Sequence, residues 1–176
     1  QMEAQHNLGI FEAGISQSGE MELLEKIIRP TIGIFTNIGE AHTQGFINTK
    51  QKINEKLQLF KKANLLLFCS DYPELNECIS LFTQTLKANR SNDLQLFSWS
   101  YKHEATLQIK SVLKAKGKTK IAAIFQNKEL AIEIPFTDAA SIENAINCWC
   151  LLLHFNIEEN LIFEKINTHK EALKLQ

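Results

Sequence analysis

The sequence predicts an α/β protein, an open and mostly parallel sheet with flanking helices and antiparallel strands near residues 105–136. Three observations predict it. Short apolar runs alternate with longer amphipathic stretches through the first two thirds of the chain, in the β-α-β-α-β-α-β order of a parallel sheet with crossover helices. One of these runs, NLLLFCSD from Asn64 to Asp71, is continuously apolar rather than alternating, as a strand covered on both faces requires. From Ala105 to Phe136 the period drops to two, most cleanly in LAIEIPF, where Leu130, Ile132, Ile134 and Phe136 share a face.

Each element has its own signal. LGIFEAG, Leu8 to Gly14, reads as a buried strand running into a glycine turn. GEMELLEKII follows as a helix, with Leu23, Leu24, Ile27 and Ile28 expected on its core face and Pro30 stopping it. TIGIFTN, Thr31 to Asn37, is a β-rich run that ends in a loop. A helix over Thr49–Lys62 is expected to bury Ile53, Leu57 and Phe60. Pro73 suits the first turn of a helix reaching about Lys87, and LQLFSWS, Leu94 to Ser100, is a fourth strand. QNKE supplies a turn in the antiparallel region. A last long helix starts near Thr137 or Asp138, with Asp138 as N-cap, and buries Ile142, Ala145, Ile146, Trp149, Leu152 and Leu153. A short helix from Ile157 and an extended ALKLQ close the chain.

The composition excludes several classes. With 176 residues, 44% hydrophobic and 22% charged, the chain has the balance of one folded domain rather than a disordered one. A net charge of −1 gives no general pull toward nucleic acid or an anionic membrane. CWCLLLHF, Cys148 to Phe155, is too short to span a bilayer, and no signal peptide opens the chain. Cys69, Cys78, Cys148 and Cys150 have no zinc spacing and read as buried free thiols of a cytoplasmic protein. The opening QMEAQHNLGIFEAG, without an initiator Met, reads as a chain entered midway.

Three blocks at the ends of expected strands hold the chemistry-bearing residues. Ligands of an open parallel sheet bind beyond those carboxyl ends. Glu12, in FEAG, is a carboxylate at the end of a buried strand, where it needs a cation or backbone donors. TNIGEAHTQGF, Thr36 to Phe46, sets a hydroxyl, an amide, a carboxylate and an imidazole on one loop. Glu12 and His42 on adjacent strand ends suit a divalent ion such as Mg²⁺ or Mn²⁺ acting on phosphate. Lys56, in INEKLQLF, brings a positive charge toward the same crevice. Each residue also has a plain reading, as a structural strand-end carboxylate, a surface histidine and a solvated helix lysine. The lysines of KAKGKTK, Lys114 to Lys120, read as a solvated turn before a phosphate contact. No GxxxxGK[ST] loop, HExxH pattern or Ser/His/Asp order is visible.

In combination, FEAGISQSGEMELLEKIIRPTIGIFTNIGEAHTQGF, EKLQLF and IPFTDAASIENAINCW resemble the central, ATP-binding domain of the Mur ligases. The flavour is that of the member adding D-alanyl-D-alanine to UDP-N-acetylmuramoyl-tripeptide, in the form fused to an alanine racemase in Bacteroidetes-type bacteria. The resemblance implies a P-loop NTPase-like fold and an ATP-dependent, peptide-forming ligase of peptidoglycan precursor synthesis that works through an acyl phosphate. It implies ATP and two Mg²⁺ ions as cofactors. Glu12 and His42 would be metal ligands, and Lys56, fourteen residues after His42, a carbamylated lysine that holds the second ion. Asn37 would line the nucleotide and metal crevice. In the family's G-x-HN-x-x-NA motif this chain has DAASIENA, so Ala140 and Ser141 replace the usual His and Asn and Asn144 is the adenine contact that remains.

The resemblance further implies that residues 1–170 form a partial central domain without its P-loop, and that 171–176 begin a linker to a third domain. The isolated chain would then be inactive and prone to self-association. The UDP-sugar tripeptide and D-alanyl-D-alanine would bind through domains outside it. The alternatives are another Mur-type amino-acid ligase, a folylpolyglutamate synthase, or a non-catalytic nucleotide- or partner-binding domain on the same fold.

Overall fold

The computed structural model describes residues 5–36, 46–89 and 93–157. Its elements run in the order α1 (Glu20–Ile28), β1 (Ile32–Phe35), α2 (Thr49–Gln58), β2 (Leu65–Cys69), α3 (Pro73–Ala88), β3 (Gln95–Ser100), β4 (Leu107–Ala115), β5 (Lys118–Phe125), β6 (Lys128–Ile134) and α4 (Ala139–His154). The six strands form one sheet in sequence order, β1-β2-β3-β4-β5-β6. β1 to β4 are parallel neighbours, and β4-β5-β6 are antiparallel.

β2 explains why the sheet needs two covers. All five of its residues are buried, and they alternate between two cores. Leu65, Leu67 and Cys69 face α4, together with Phe97, Trp99, Ile109, Ile121 and Ile134. Leu66 and Phe68 face α1, α2 and α3 through Met21, Ile53, Leu57, Leu75 and Ile79. The uninterrupted apolar run is thus two period-two faces, each with its own partner. A buried hydrogen bond from Trp99 Nε1 to Asn147 Oδ1 (2.8 Å) fixes α4 on β3.

The helix ends show the expected chemistry. Asn48 caps α2, its side chain accepting from Gln51 N at 2.8 Å, while Gln51 Oε1 reaches back to Ile47 N at 2.7 Å. Pro73 opens α3, and Asp138 caps α4 by accepting from Ser141 N at 2.8 Å. The two hairpins turn through left-handed pairs, Lys116-Gly117 and Gln126-Asn127, as two-residue loops require.

The β3–β4 pairing is unusually short. Only Trp99 and Ser100, the last residues of β3, pair with Leu107 and Gln108, the first of β4. β4 and its hairpin partners therefore project beyond the carboxyl edge of the parallel strands. Asp71 holds the connecting loop. It accepts from Ser100 Oγ (2.6 Å), Tyr101 N (2.9 Å) and Lys102 N (3.3 Å).

Four expectations are corrected. Leu8–Gly14 is not a strand. Leu8, Ile10, Phe11 and Glu12 are exposed, because no described strand lies beside them to pair with their backbone. On α1 the buried residues are Met21 and Glu25, with Leu24 and Ile28 partly covered, whereas Leu23 and Ile27 face outward. The helical stripe 21-24-25-28 contains a charge, which hid it from a hydrophobicity pattern. Glu25 is tolerated inside because Lys62 Nζ lies 3.4 Å and Lys61 Nζ 4.0 Å from its oxygens. Cys148 is exposed, while Cys69, Cys78 and Cys150 are buried. Lastly, Ala145 and Leu152 are only partly buried on α4. The expected helix from Ile157 and the ALKLQ tail lie outside the described residues.

Candidate functional site

The carboxyl edge of β1, β2 and β3 gathers the described polar residues of interest. β1 ends at Phe35, and α2 descends from that edge with Lys52, Glu55 and Lys56 on its middle turns. Lys56 Nζ sits over the Phe35 ring, 5.6 Å from its centroid. Lys56 is half-buried, and Lys52, one turn before it, is buried to 4% exposure. Burial, reinforced by the Lys52 ammonium, lowers the Lys56 pKa from the usual lysine value. Lys56 is therefore not a solvated helix lysine. Its ammonium gives up its proton more readily than a solvated lysine's, and the neutral amine is the form that reacts with carbon dioxide to give a carbamate.

Glu12 is exposed on the segment leading into α1, not at the end of a buried strand. The loop between it and α1 is tightly organised. Ile15 is buried beneath that loop, and Glu20 Oε2 accepts from Ser16 N (2.6 Å) and Gln17 N (3.1 Å), which holds the Glu20 carboxyl below its usual pKa. Glu55 Oε1 accepts from Gly19 N (2.7 Å) and Met21 N (3.3 Å), and its Oε2 from Ser18 Oγ (3.2 Å). Asn37 and His42 lie outside the described residues. Among the described residues no three His, Cys, Asp or Glu side chains cluster as a metal site.

The donor set still fits a hard cation. Glu12 offers a carboxylate and His42 an imidazole, and carbamylation of Lys56 replaces an ammonium with two oxygens. As ammonium ions, Lys52 and Lys56 side by side would repel such an ion.

A second wall stands on the other face of the sheet. α4 starts at the carboxyl edge, where Tyr72 Oη donates to Glu143 Oε1 at 3.4 Å. Between the α4 start and the overhanging part of β4 lies a cleft of about 440 Å³, lined by Tyr101, Lys110, Lys114, Ile142 and Glu143 among others. Tyr101 stands edge-on to Trp99, and burial pushes its hydroxyl pKa up. Asn144 is exposed one position beyond Glu143, on a different side of the helix from the cleft. The KAKGKTK lysines form the β4–β5 turn, where Lys118 pairs with Glu133.

Sequence reasoning missed Lys52 and Glu55. Lys52 lacked a signal, since an isolated lysine on a helix reads as solvated. Glu55 had an indirect one. GISQSGE places a glycine at the helix start, and a glycine N-cap leaves the first amides without a local side-chain acceptor.

Known proteins share this architecture. Residues 1–152 match the family model described as the Mur ligase middle domain. A UDP-N-acetylmuramoyl-tripeptide–D-alanyl-D-alanine ligase from Borreliella burgdorferi is 31% identical over 164 residues, which is 93% of this chain and 33% of the relative. The chain thus spans about a third of the length of that relative. Among solved structures, MurF from Acinetobacter baumannii superposes with a TM-score of 0.75 at 15% identity, over 94% of this chain and 35% of the other. MurF ligase from Thermotoga maritima, in complex with ADP, gives 0.62 at 16% identity, over 80% and 31%. At these identities the structural likeness establishes the fold.

Proposed function

Because this chain belongs to the Mur ligase family, through its middle domain, we propose that it is the ATP-binding core of a ligase that joins D-alanyl-D-alanine to UDP-N-acetylmuramoyl-tripeptide. The observation that carries the reading is the identity, across nearly the whole chain, with a relative bearing that name. The lowered proton affinity of Lys56 supports it from the structural side. The protein acts in the cytoplasm and binds both substrates through domains outside residues 1–170.

In this reaction the tripeptide's terminal carboxylate attacks the γ-phosphorus of ATP, and ADP leaves. The dipeptide's amine then attacks the acyl phosphate, and a tetrahedral adduct collapses with loss of phosphate and a proton. Magnesium, when bound, neutralises phosphoryl oxygens as their charge develops. Glu12 and His42 would hold one ion, and carbamylated Lys56 would help hold a second. Asn37 would orient groups at the nucleotide crevice, and Asn144 would meet the adenine at the start of α4. None of these side chains is a nucleophile. The carbamate on Lys56 forms when its neutral amine adds to carbon dioxide and releases one proton.

The test uses the full-length protein. Glu12→Ala and His42→Ala should each lower Mg²⁺-dependent ADP formation, with both substrates present, by more than about a hundredfold, exceeding the usual loss for a supporting residue. The thermal midpoint of Glu12→Ala should hold, since Glu12 is exposed. Unchanged turnover in either variant removes that residue from the metal site.

A further inference from the structure

We propose that Glu55 is a positioning residue, a strap that holds the Glu12-bearing segment at a fixed distance from Lys56. The inference rests on the reading that Glu12 and Lys56 serve one cation site.

α1 cannot cap itself. Its N-cap is Gly19, with φ at 93° and no side chain to offer its first amides an acceptor. Glu55, on α2 and 36 residues away in sequence, supplies both acceptors instead. One carboxylate oxygen takes the Gly19 and Met21 amides at 2.7 and 3.3 Å, and the other takes the Ser18 hydroxyl at 3.2 Å. Hydrogen bonds to an ionised carboxylate are short and directional, and a negative charge at a helix start is favoured by its dipole.

The loop so held has further ties at either end. Glu20 ties Ser16 and Gln17 to the first turn of α1, and Ile15 anchors the loop in the core below. Glu12 lies three residues before Ile15, the first residue anchored in this way. On the other side, Lys56 directly follows Glu55 on α2 and reaches over Phe35 at the end of β1. Consecutive helix positions diverge by about 100°. One rung of α2 thus directs Glu55 toward α1 and Lys56 toward the sheet edge. Any shift of α2 moves the amine and the strap together, which preserves their spacing.

The test compares the full-length wild type with Glu55→Ala, Glu55→Gln and Ser18→Ala. Two readouts are taken, Mn²⁺ binding to the free protein by electron paramagnetic resonance and the Mg²⁺ dependence of ADP formation. Glu55→Ala should weaken Mn²⁺ binding by about tenfold and raise the half-saturating Mg²⁺ by a similar factor, the scale of losing a supporting contact. The KM for the UDP-sugar tripeptide should change by less than about twofold, because no metal-supporting contact is involved in it. Glu55→Gln keeps one acceptor oxygen and should remain within about threefold of wild type. Ser18→Ala, which spares the backbone contacts, keeps the comparison open if Glu55→Ala does not fold, and should give a smaller shift in the same direction.

Wild-type Mn²⁺ affinity in a folded Glu55→Ala overturns the strap alone. Equal losses in Glu55→Gln and Glu55→Ala also overturn it, because they would assign the effect to charge rather than placement. Should Ser18→Ala be the only folded variant, unchanged Mn²⁺ affinity in it overturns the strap too. Failure of the wild type to bind Mn²⁺ overturns the metal reading and takes the strap with it.

Discussion

Lys56 shows how a single side chain departs from what its residue type suggests. A lysine on an amphipathic helix is ordinarily solvated, yet this one is half-buried against Phe35 and one turn from the buried Lys52. Burial first and the Lys52 charge second disfavour the protonated amine, so its pKa falls. The sign of the consequence is fixed. The unfolded chain binds this proton more tightly than the folded one, so burying Lys56 costs stability below its folded pKa. That cost fades as pH rises toward the unfolded value of about 10.4. The same shift predicts chemistry. If the full-length protein is the ligase proposed above, Lys56→Ala should remove most Mg²⁺-dependent ADP formation, and a short carboxylate such as formate should restore part of it by standing in for the carbamate. Wild-type activity should fall as pH drops, when protonation competes with carbamylation. A Lys56→Ala enzyme of normal activity, or a wild type indifferent to bicarbonate removal, contradicts the assignment. The family resemblance singled out Lys56, fourteen residues after His42, but did not give its burial, because burial depends on where Phe35 and Lys52 end up.

At the scale of elements, regular packing was legible and partner-dependent structure was not. β2, β3, α3, α4 and the antiparallel hairpins lie where their periodicity placed them, since each has its partners within the described chain, and α2 begins at Thr49 as expected but ends at Gln58 rather than Lys62. Leu8–Gly14 carries a strand's composition, but composition does not say whether a neighbouring strand is present. The inward face of α1 was obscured by Glu25, whose burial depends on Lys61 and Lys62 in the turn that follows α2. β1 adds a constraint that its composition conceals. A Cβ on Gly33 would sit 2.4 Å from the Phe60 ring, so β1 and the turn after α2 approach as closely as they do because that side chain is missing. Gly33→Ala should destabilise the domain by about 1–3 kcal/mol, the range for an overpacked core. Thermal denaturation would show the drop, and adding Phe60→Leu should recover part of it through coupling of the touching pair. Additive losses in the double variant would mean the contact is not where the strain lies.

For the whole molecule, the two faces of the sheet differ in what they leave uncovered. The α4 face closes over Trp99, Trp149 and the hairpin residues. On the other side, α1 carries Leu23 and Ile27 outward at 62% and 78% exposure, one turn apart on the same stripe. Leu8, Ile10 and Phe11 add 69%, 89% and 55% exposure in the segment that precedes it. β1 is the terminal strand of the sheet and pairs only with β2 among the described residues. An edge strand is a template for pairing, and exposed apolar side chains add a driving force. Isolated as 176 residues, the chain should therefore self-associate. Sedimentation velocity at tens of micromolar, roughly where such weak association begins to populate dimers, should show species larger than the monomer. Replacing Ile10, Phe11 and Ile27 by Lys should shift the population back toward the monomer, since all three are exposed and their loss removes no core contact. A wild-type chain that sediments as a monomer and melts in one cooperative step would show that this apolar surface is too dispersed to drive association.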